Sequence, residues 1–307
     1  LASKGFVNCS FDFGFKELYK NRERCKVLLF HWPSYFWDSK SLIKSLLKFS
    51  GFAAKTIFAK ILGYKLIWSA HNTFPHKINY FPIEKYSRLF MIRWFDIIIN
   101  HSLNASEERL AAFGIKGKIE VNAIHGHYES VYKPGGHFSR SSLGIPLDAK
   151  TIFLHANMRD YKGDAEFIDS FIKFAPDDLY LILMGKGCAA GIRRENIKCI
   201  EGYRSNSEMA DLIEISDFFA LPYKKITTSG AFFLAVTFKK PIIATNLPFF
   251  VKHIYPDTGL LYKIGDESIE NIFKTICDGW APDTEMLDKM KQAYTWENAA
   301  KAVRGAI

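Results

Sequence analysis

Missing from the 307 residues is any CxxC pair, since the five cysteines, Cys9, Cys25, Cys188, Cys199 and Cys277, are scattered along the chain. An odd, dispersed set argues against a disulfide framework and a structural zinc site, and a reducing cytosol is the expected compartment. No run approaches eighteen uninterrupted apolar residues: even LFMIRWFDIIIN is broken by Arg93 and Asp96. No transmembrane helix is therefore expected, and no signal peptide either. A Gly-x-x-x-x-Gly-Lys-Ser/Thr loop and a GxGxxG fingerprint are both absent, which counts against a nucleotide hydrolase and a nicotinamide dehydrogenase. There are no repeats and no low-complexity tracts. The segment KKITTSGAFFLAVTFKKPIIAT (224–245) contains no acidic residue at all.

What is present is a 48% hydrophobic chain of a length that buries a sizeable core and usually divides into two domains. Lys and Arg number 41 against 32 acids, a formal charge of +9. That excess favours phosphate-bearing ligands, nucleic acid or an anionic membrane surface without choosing among them.

Short apolar runs alternate with longer helical stretches: 27–32, 65–72 and 96–100, then 151–156, 179–185, 218–223 and 241–245. Such alternation signals parallel sheets covered by helices on both faces. The expected fold is α/β, with two Rossmann-like doubly wound domains facing a cleft. The first spans 1–135, a Gly-, Pro- and Ser-rich linker 136–150, and the second 151–290. A C-terminal helix, 291–307, is expected to pack back toward the first domain. LASKGF at the start, with Leu1 rather than Met first, reads as the end of a helix stopped by Gly5 and followed by a strand, so the natural N-terminus is expected to be missing.

Ligands of parallel sheets bind in the loops beyond the carboxyl ends of the strands. Thr227, Thr228, Ser229 and Gly230 open an apolar helix, where unpaired amides, the positive end of the dipole and hydroxyl caps suit an anion. Used alone, such a sequence is more often a plain N-cap. Arg159 and Lys162 follow the first strand of the second domain, with Lys162-Gly163 opening a second helix. If those strands are neighbours, two cations and two helix starts converge, enough for a diphosphate without a metal. The diphosphate set is thus Arg159, Lys162, Thr228, Ser229 and Gly230, the alternative being solvated loop cations and a structural cap.

The ordered segments HANMRDYKG, LILMGKG, IKCIEGYRSNSEMADLIEISDFFALPY, SGAFFLAVTFKKPIIAT and GLLYKIGD resemble the donor domain of GT-B glycosyltransferases, especially the family-4-like group. HWPSYFW (31–37), HNTFPHK (71–77) and NAIHGHYESVYKP (122–134) resemble segments of bacterial polysaccharide glycosyltransferases. The resemblance covers roughly residues 60–300. It implies transfer of a sugar from a UDP- or GDP-linked donor to a hydroxyl of a glycan or lipid-linked glycan, with no other cofactor. It further implies a nucleotide contacted by Gly185, Gly187, Tyr203 and Arg204, and a location at the inner face of the membrane. One departure stands out. The Glu-x7-Glu pair usual in that group falls on Ile226 and Leu234, which leaves donor identity and retention of configuration open. Lys239-Lys240 replace the usual small-residue turn before Pro241.

For an inverting reaction a base must take the acceptor proton, and His71, at a strand end, is the candidate. Its alternative is a satisfied histidine at a strand end. Asn72, His125 and His127 are expected to line the cleft, and His76 its rim. His125 and His127 form an HxH without a third ligand, so no metal is expected. The absence of Asp-x-Asp also disfavours a metal-dependent transferase of the other common fold. In the stretch 39–62, Leu42, Leu46, Phe49, Ala53 and Ile57 are expected to face a sheet. Lys40, Lys44, Lys48 and Lys55, bordered by Phe52 and Phe58, offer contact with an anionic membrane. The rival functions are a GT-B-like binding protein without turnover and, on the same architecture, a sugar-nucleotide epimerase or phosphorylase. No nucleic-acid partner is expected.

Overall fold

The computed structural model describes residues 9–75, 77–188, 192, 194–265 and 268–307; the LASKGF reading and His76 lie outside them. The chain divides into two compact units, one running to Ile124 and including Trp296–Ile307, the other His125–Thr295.

The first unit holds α1 (Phe15–Asn21), β1 (Val27–Phe30), α2 (Leu42–Ile61), β2 (Lys65–Ala70), α3 (Phe81–Trp94), β3 (Ile97–Asn100), α4 (Ala105–Phe113) and β4 (Ile119–Asn122). Its four strands lie parallel in the order β1-β2-β3-β4. Successive side chains of a strand point to opposite faces, and the apolar residues divide accordingly. Leu66, Trp68 and Ile98 join Phe30, Phe52, Met91 and Phe95 in one core, while Ile67, Ile97 and Ile99 pack with Val303 on the other face. Val303 belongs to a last helix, Trp296–Arg304, so the chain end completes the first unit's core.

That unit also corrects the reading of α2. Its buried positions are Ser45, Phe52, Thr56 and Ala59, whereas Leu42, Leu46 and Ile57, expected to face the sheet, are exposed. Small residues at 45, 56 and 59 let the helix approach closely, Phe52 enters the core, and Phe49, as expected, packs against it together with Phe58, which was expected at the membrane side. The larger aliphatics, with Ile43, Leu47 and Ile61, are left facing outward.

The second unit contains β5 (Lys150–His155), α5 (Asp164–Phe174), β6 (Leu179–Gly185), β7 (Ile197–Glu201), α6 (Asn206–Glu214), β8 (Phe218–Leu221), α7 (Gly230–Thr237), β9 (Ile242–Thr245), α8 (Pro248–His253), β10 (Gly259–Tyr262), α9 (Ser268–Cys277) and α10 (Thr284–Ala293). Its six parallel strands run β10-β9-β8-β5-β6-β7. The winding direction therefore reverses between β5 and β8, the place where ligands of such sheets bind. Residues 136–150, expected as a linker, lie within this unit. The Asp211 carboxylate of α6 accepts the amides of Gly135 (2.7 Å), Gly136 (2.9 Å) and His137 (2.6 Å), and Arg140 bonds Asp217 at 2.8 Å. The Lys239-Lys240 turn also has a local cause. Lys239 takes a left-handed conformation after α7, and the Lys240 ammonium donates to the Glu214 and Ser216 carbonyls at the end of α6, where a cation is favoured. All five cysteines are free. Among the described residues no helix is long and apolar enough to cross a membrane.

Candidate functional site

Because β5 pairs with β8, the loops leaving their carboxyl ends meet. Gly163 (φ +67°) makes this possible: a Cβ there would collide with the Pro222 carbonyl oxygen. Gly185 does the same between β6 and the end of β5, since a Cβ would strike the Ala156 carbonyl oxygen. The Lys162 ammonium lies 5.5 Å over the Tyr223 ring, and the Tyr223 hydroxyl is 3.0 Å from Ser229 Oγ. Tyr223 thus bridges the cation to the start of α7. Burial holds the Lys162 pKa below its ordinary value, Asp164 opposes that shift and Arg159 adds to it. Burial also pushes the Tyr223 phenol up to about 12, so it stays protonated.

Ser229 caps α7 by accepting the Phe232 amide at 3.3 Å and is buried. Its hydroxyl therefore holds the helix entrance, while Gly230 is exposed and Thr228 half-buried beside it. No acid occupies the first turn of α7, so its dipole is uncompensated by side chains. The second helix start is different. Asp164 opens α5, and its carboxylate accepts the amides of Asn157 (2.8 Å) and Met158 (3.1 Å). An anion is already in place there, so the expected pair of anion-binding helix starts reduces to α7 alone. Arg159 is exposed and reaches the Tyr161 hydroxyl at 3.4 Å.

Gly185 ends β6, and the Gly187 amide donates to Glu201 at 2.6 Å. Tyr203 is 92% exposed beyond β7. Arg204 donates to the Glu201 carbonyl at 3.1 Å and pairs with Glu208 at 3.6 Å. His125 stacks on Phe233 (5.0 Å) and lies 3.3 Å from the Tyr128 hydroxyl; burial lowers its pKa. His127 is lowered by burial and by Lys291. Among the described residues no group of three His, Cys, Asp or Glu is placed to hold a metal.

Sequence reasoning did not single out Tyr128 within the GHY loop expected to line the cleft; its hydroxyl would sit 3.0 Å from a Cβ at position 230. It also missed His155, at the end of β5, whose pKa burial and Lys162 bring down to about 4.

In the first unit, His71 belongs to a set. His31, His71 and His101 each follow the last residue of β1, β2 and β3. His31 Nδ1 lies 3.1 Å from His71 Nε2, and Ser69 Oγ is 2.7 Å from His101 Nε2. His71 stacks on Trp32 at 4.7 Å and on His101 at 4.5 Å. Asn72 is half-buried next to it. A histidine one position beyond three consecutive strands was the signal available in the sequence.

No family model matches the chain. A curated relative, GDP-mannose:glycolipid 4-beta-D-mannosyltransferase of Xanthomonas campestris pv. campestris, is 22% identical over 231 residues, 72% of this chain. The chain covers 61% of that relative's length. Among solved structures, Anabaena HepE in complex with UDP superposes with a TM-score of 0.70 at 14% identity, covering 94% of this chain and 80% of the other. The lipopolysaccharide outer core galactosyltransferase WaaB gives 0.64 at 11% identity, with 95% and 79% covered. The chain has the α/β GT-B fold of these glycosyltransferase structures.

Proposed function

We propose that the protein is a metal-independent glycosyltransferase that moves a sugar from a nucleotide-diphosphate donor to a hydroxyl of a glycan or lipid-linked glycan. The observation that carries this reading is the convergence of Lys162, Tyr223 and the acid-free start of α7 where the second sheet reverses its winding. A cation, exposed backbone at Gly230 and a helix dipole together stabilise the charge that develops on a leaving diphosphate. The exposed Tyr203 ring offers a face on which a base stacks.

In the reaction the acceptor oxygen bonds to the anomeric carbon as the bond from that carbon to the diphosphate oxygen breaks. The electron pair leaves with the diphosphate, and the acceptor proton passes to a base, for which we take His71. The Xanthomonas relative's name specifies GDP-mannose and a glycolipid, and HepE has been solved with UDP-glucose; both donor classes belong in the test. The outward aliphatics of α2, together with Lys44 and Lys48, support peripheral contact with an anionic membrane surface from the cytoplasm.

The absence of carboxylates at Ile226 and Leu234, the latter buried in α7, favours a second reading, donor binding without turnover. A thermal-shift screen of UDP, GDP and their sugars, followed by a transfer assay with and without EDTA, tests both. A native-state ligand raises the melting temperature. Failure of every nucleotide to do so would sink the donor site, shift without transfer selects the second reading, and loss of transfer in EDTA refutes metal independence.

A further inference from the structure

The Tyr128 hydroxyl stands against Gly230 at the entrance of α7, where a Cβ would come within 3.0 Å of it. We propose that Tyr128 is a further ligand-binding residue of the second unit, its hydroxyl donating a hydrogen bond to the diphosphate of a nucleotide-sugar held between Gly230 and Lys162. This contact rests on the donor-site reading above and adds a residue to it.

The side chain is anchored along the helix. The Tyr128 amide donates to Thr237 Oγ1 at 2.9 Å, and that hydroxyl donates to the Phe233 carbonyl at 2.7 Å. The backbone of Tyr128 is therefore tied to the last residue of α7 while its hydroxyl reaches the first. The His127 amide donates to the Tyr294 carbonyl (2.9 Å), and the Tyr128 carbonyl accepts the amides of Val131 (2.8 Å) and Tyr132 (3.2 Å). A side chain fixed at its root needs little ordering when a ligand meets its polar tip.

The hydroxyl proton is within a ligand's reach. His125 Nδ1 lies 2.6 Å from the Gly126 carbonyl oxygen, which only accepts, so Nδ1 carries the proton and Nε2 the lone pair. Tyr128 donates to Nε2 at 3.3 Å, beyond the range of about 2.5–3.0 Å usual for a hydroxyl bonding to oxygen. Burial raises the Tyr128 pKa and lowers that of His125, so the phenol keeps its proton and the imidazole stays neutral at pH 7. A phosphate oxygen would replace this long neutral contact with a charge-assisted bond about twice as strong.

The surroundings select an anion of this shape. No acid occupies the first turn of α7, and Glu129, next to Tyr128 in sequence, is paired with Lys291 at 3.3 Å. The Tyr128 ring meets Tyr132 edge-on at 5.7 Å, and Tyr203, the ring offered to the base, is near enough to Tyr132 to help raise its pKa. Three tyrosines thus follow one another from the helix entrance to the base-stacking face, the order in which a nucleoside diphosphate presents phosphate and base.

Calorimetric titration of the whole chain with UDP and GDP tests the contact in Tyr128→Phe, which keeps the ring and its packing, and in Gly230→Ala, whose methyl would crowd the hydroxyl. Neither change removes a buried apolar group, and alanine is the better helix former, so both variants should fold, as melting curves will verify. Each is expected to bind nucleotide about tenfold more weakly, the size of one hydrogen bond to a charged group. The losses should not multiply in the double variant, because both act on one contact. Affinity within twofold of the parent in Tyr128→Phe overturns the assignment, with or without a drop in melting temperature, and so do losses that multiply. Weaker binding in Lys162→Met without any in Tyr128→Phe leaves the donor site standing and removes Tyr128 from it. A parent that binds neither nucleotide overturns the donor reading and this contact together.

Discussion

Lys162→Met isolates the charge at the proposed diphosphate site, because methionine keeps an apolar stem against Tyr223 while deleting the ammonium. A phosphate oxygen about 4 Å from that ammonium would gain about 4 kcal/mol at an effective dielectric constant of about 20. Desolvation of both partners offsets part of this, and a charge-assisted contact nets about 1.5–3 kcal/mol. UDP or GDP should therefore bind roughly 10- to 150-fold more weakly to the variant. Stability should move the other way. The pKa of Lys162 is lowered mainly by burial, so the folded protein holds the charged form at a cost that methionine removes. The free variant should melt at the same temperature as the parent or higher. The sign extends to pH: with the folded pKa below 10.5, the unfolded chain binds more protons in the interval between the two values. The parent should gain stability as pH rises through that interval, and the variant should lack this gain. Calorimetric titration with each nucleotide, paired with melting curves, separates the effects. Affinity within twofold of the parent for both nucleotides would refute the assignment of Lys162, whatever happened to the melting temperature.

Acid should destabilise the second unit through two histidines. His155 and His253 are both lowered to about 4, chiefly by burial. Their neutral forms contribute stability that is fully present above pH 6.5 and is lost as pH falls from 6.5 toward 4, up to about 3 kcal/mol each. Urea midpoints at pH 7.5 and 5 measure this, and equal midpoints would contradict it. The α2 surface makes a separate prediction: the protein should co-sediment with vesicles rich in anionic lipid, release at high salt, and lose binding in Leu46→Ser with Leu47→Ser. Binding unchanged in that double variant would exclude this helix as the contact.

The strands readable from the sequence were those with continuous apolar runs, such as KLIWSA and LYLILMG, both central in their sheets. Three strands not read from their pattern, β4, β7 and β10, are all edge strands. An edge strand is covered less completely, so IEVN and IKCIE carry polar residues where a central strand carries aliphatics. The α2 error has a related origin. Leucine and isoleucine content points to one side of the helix, yet of the residues expected there only Phe49 packs against the core, and the buried positions are Phe52 and the small Ser45, Thr56 and Ala59. Aliphatic content identified an apolar face without saying what covers it.

The candidate site divides along the same physical line. Lys162 and the TTSG segment could be brought together from sequence because strand order follows from topology, and topology constrains which loops meet. Tyr223 could not be found that way, since its part depends on one side chain spanning from Lys162 to Ser229. The histidines are a matter of register. In the first sheet the described strands run in sequence without reversal, so the switch-point argument that locates the site of the second sheet gives nothing here. What marks its carboxyl end is one residue type repeated just beyond each strand, His31, His71 and His101: Ala70 pairs with Asn100, which sets His71 level with His101, whereas Phe30 pairs with Trp68, so His31 stands level with Ser69 and reaches His71 from a shorter strand. Spacings of forty and thirty residues conceal this alignment in the linear sequence, because intervening helices of different length set them. Only parallel pairing turns three distant histidines into one stack, with Trp32 against it.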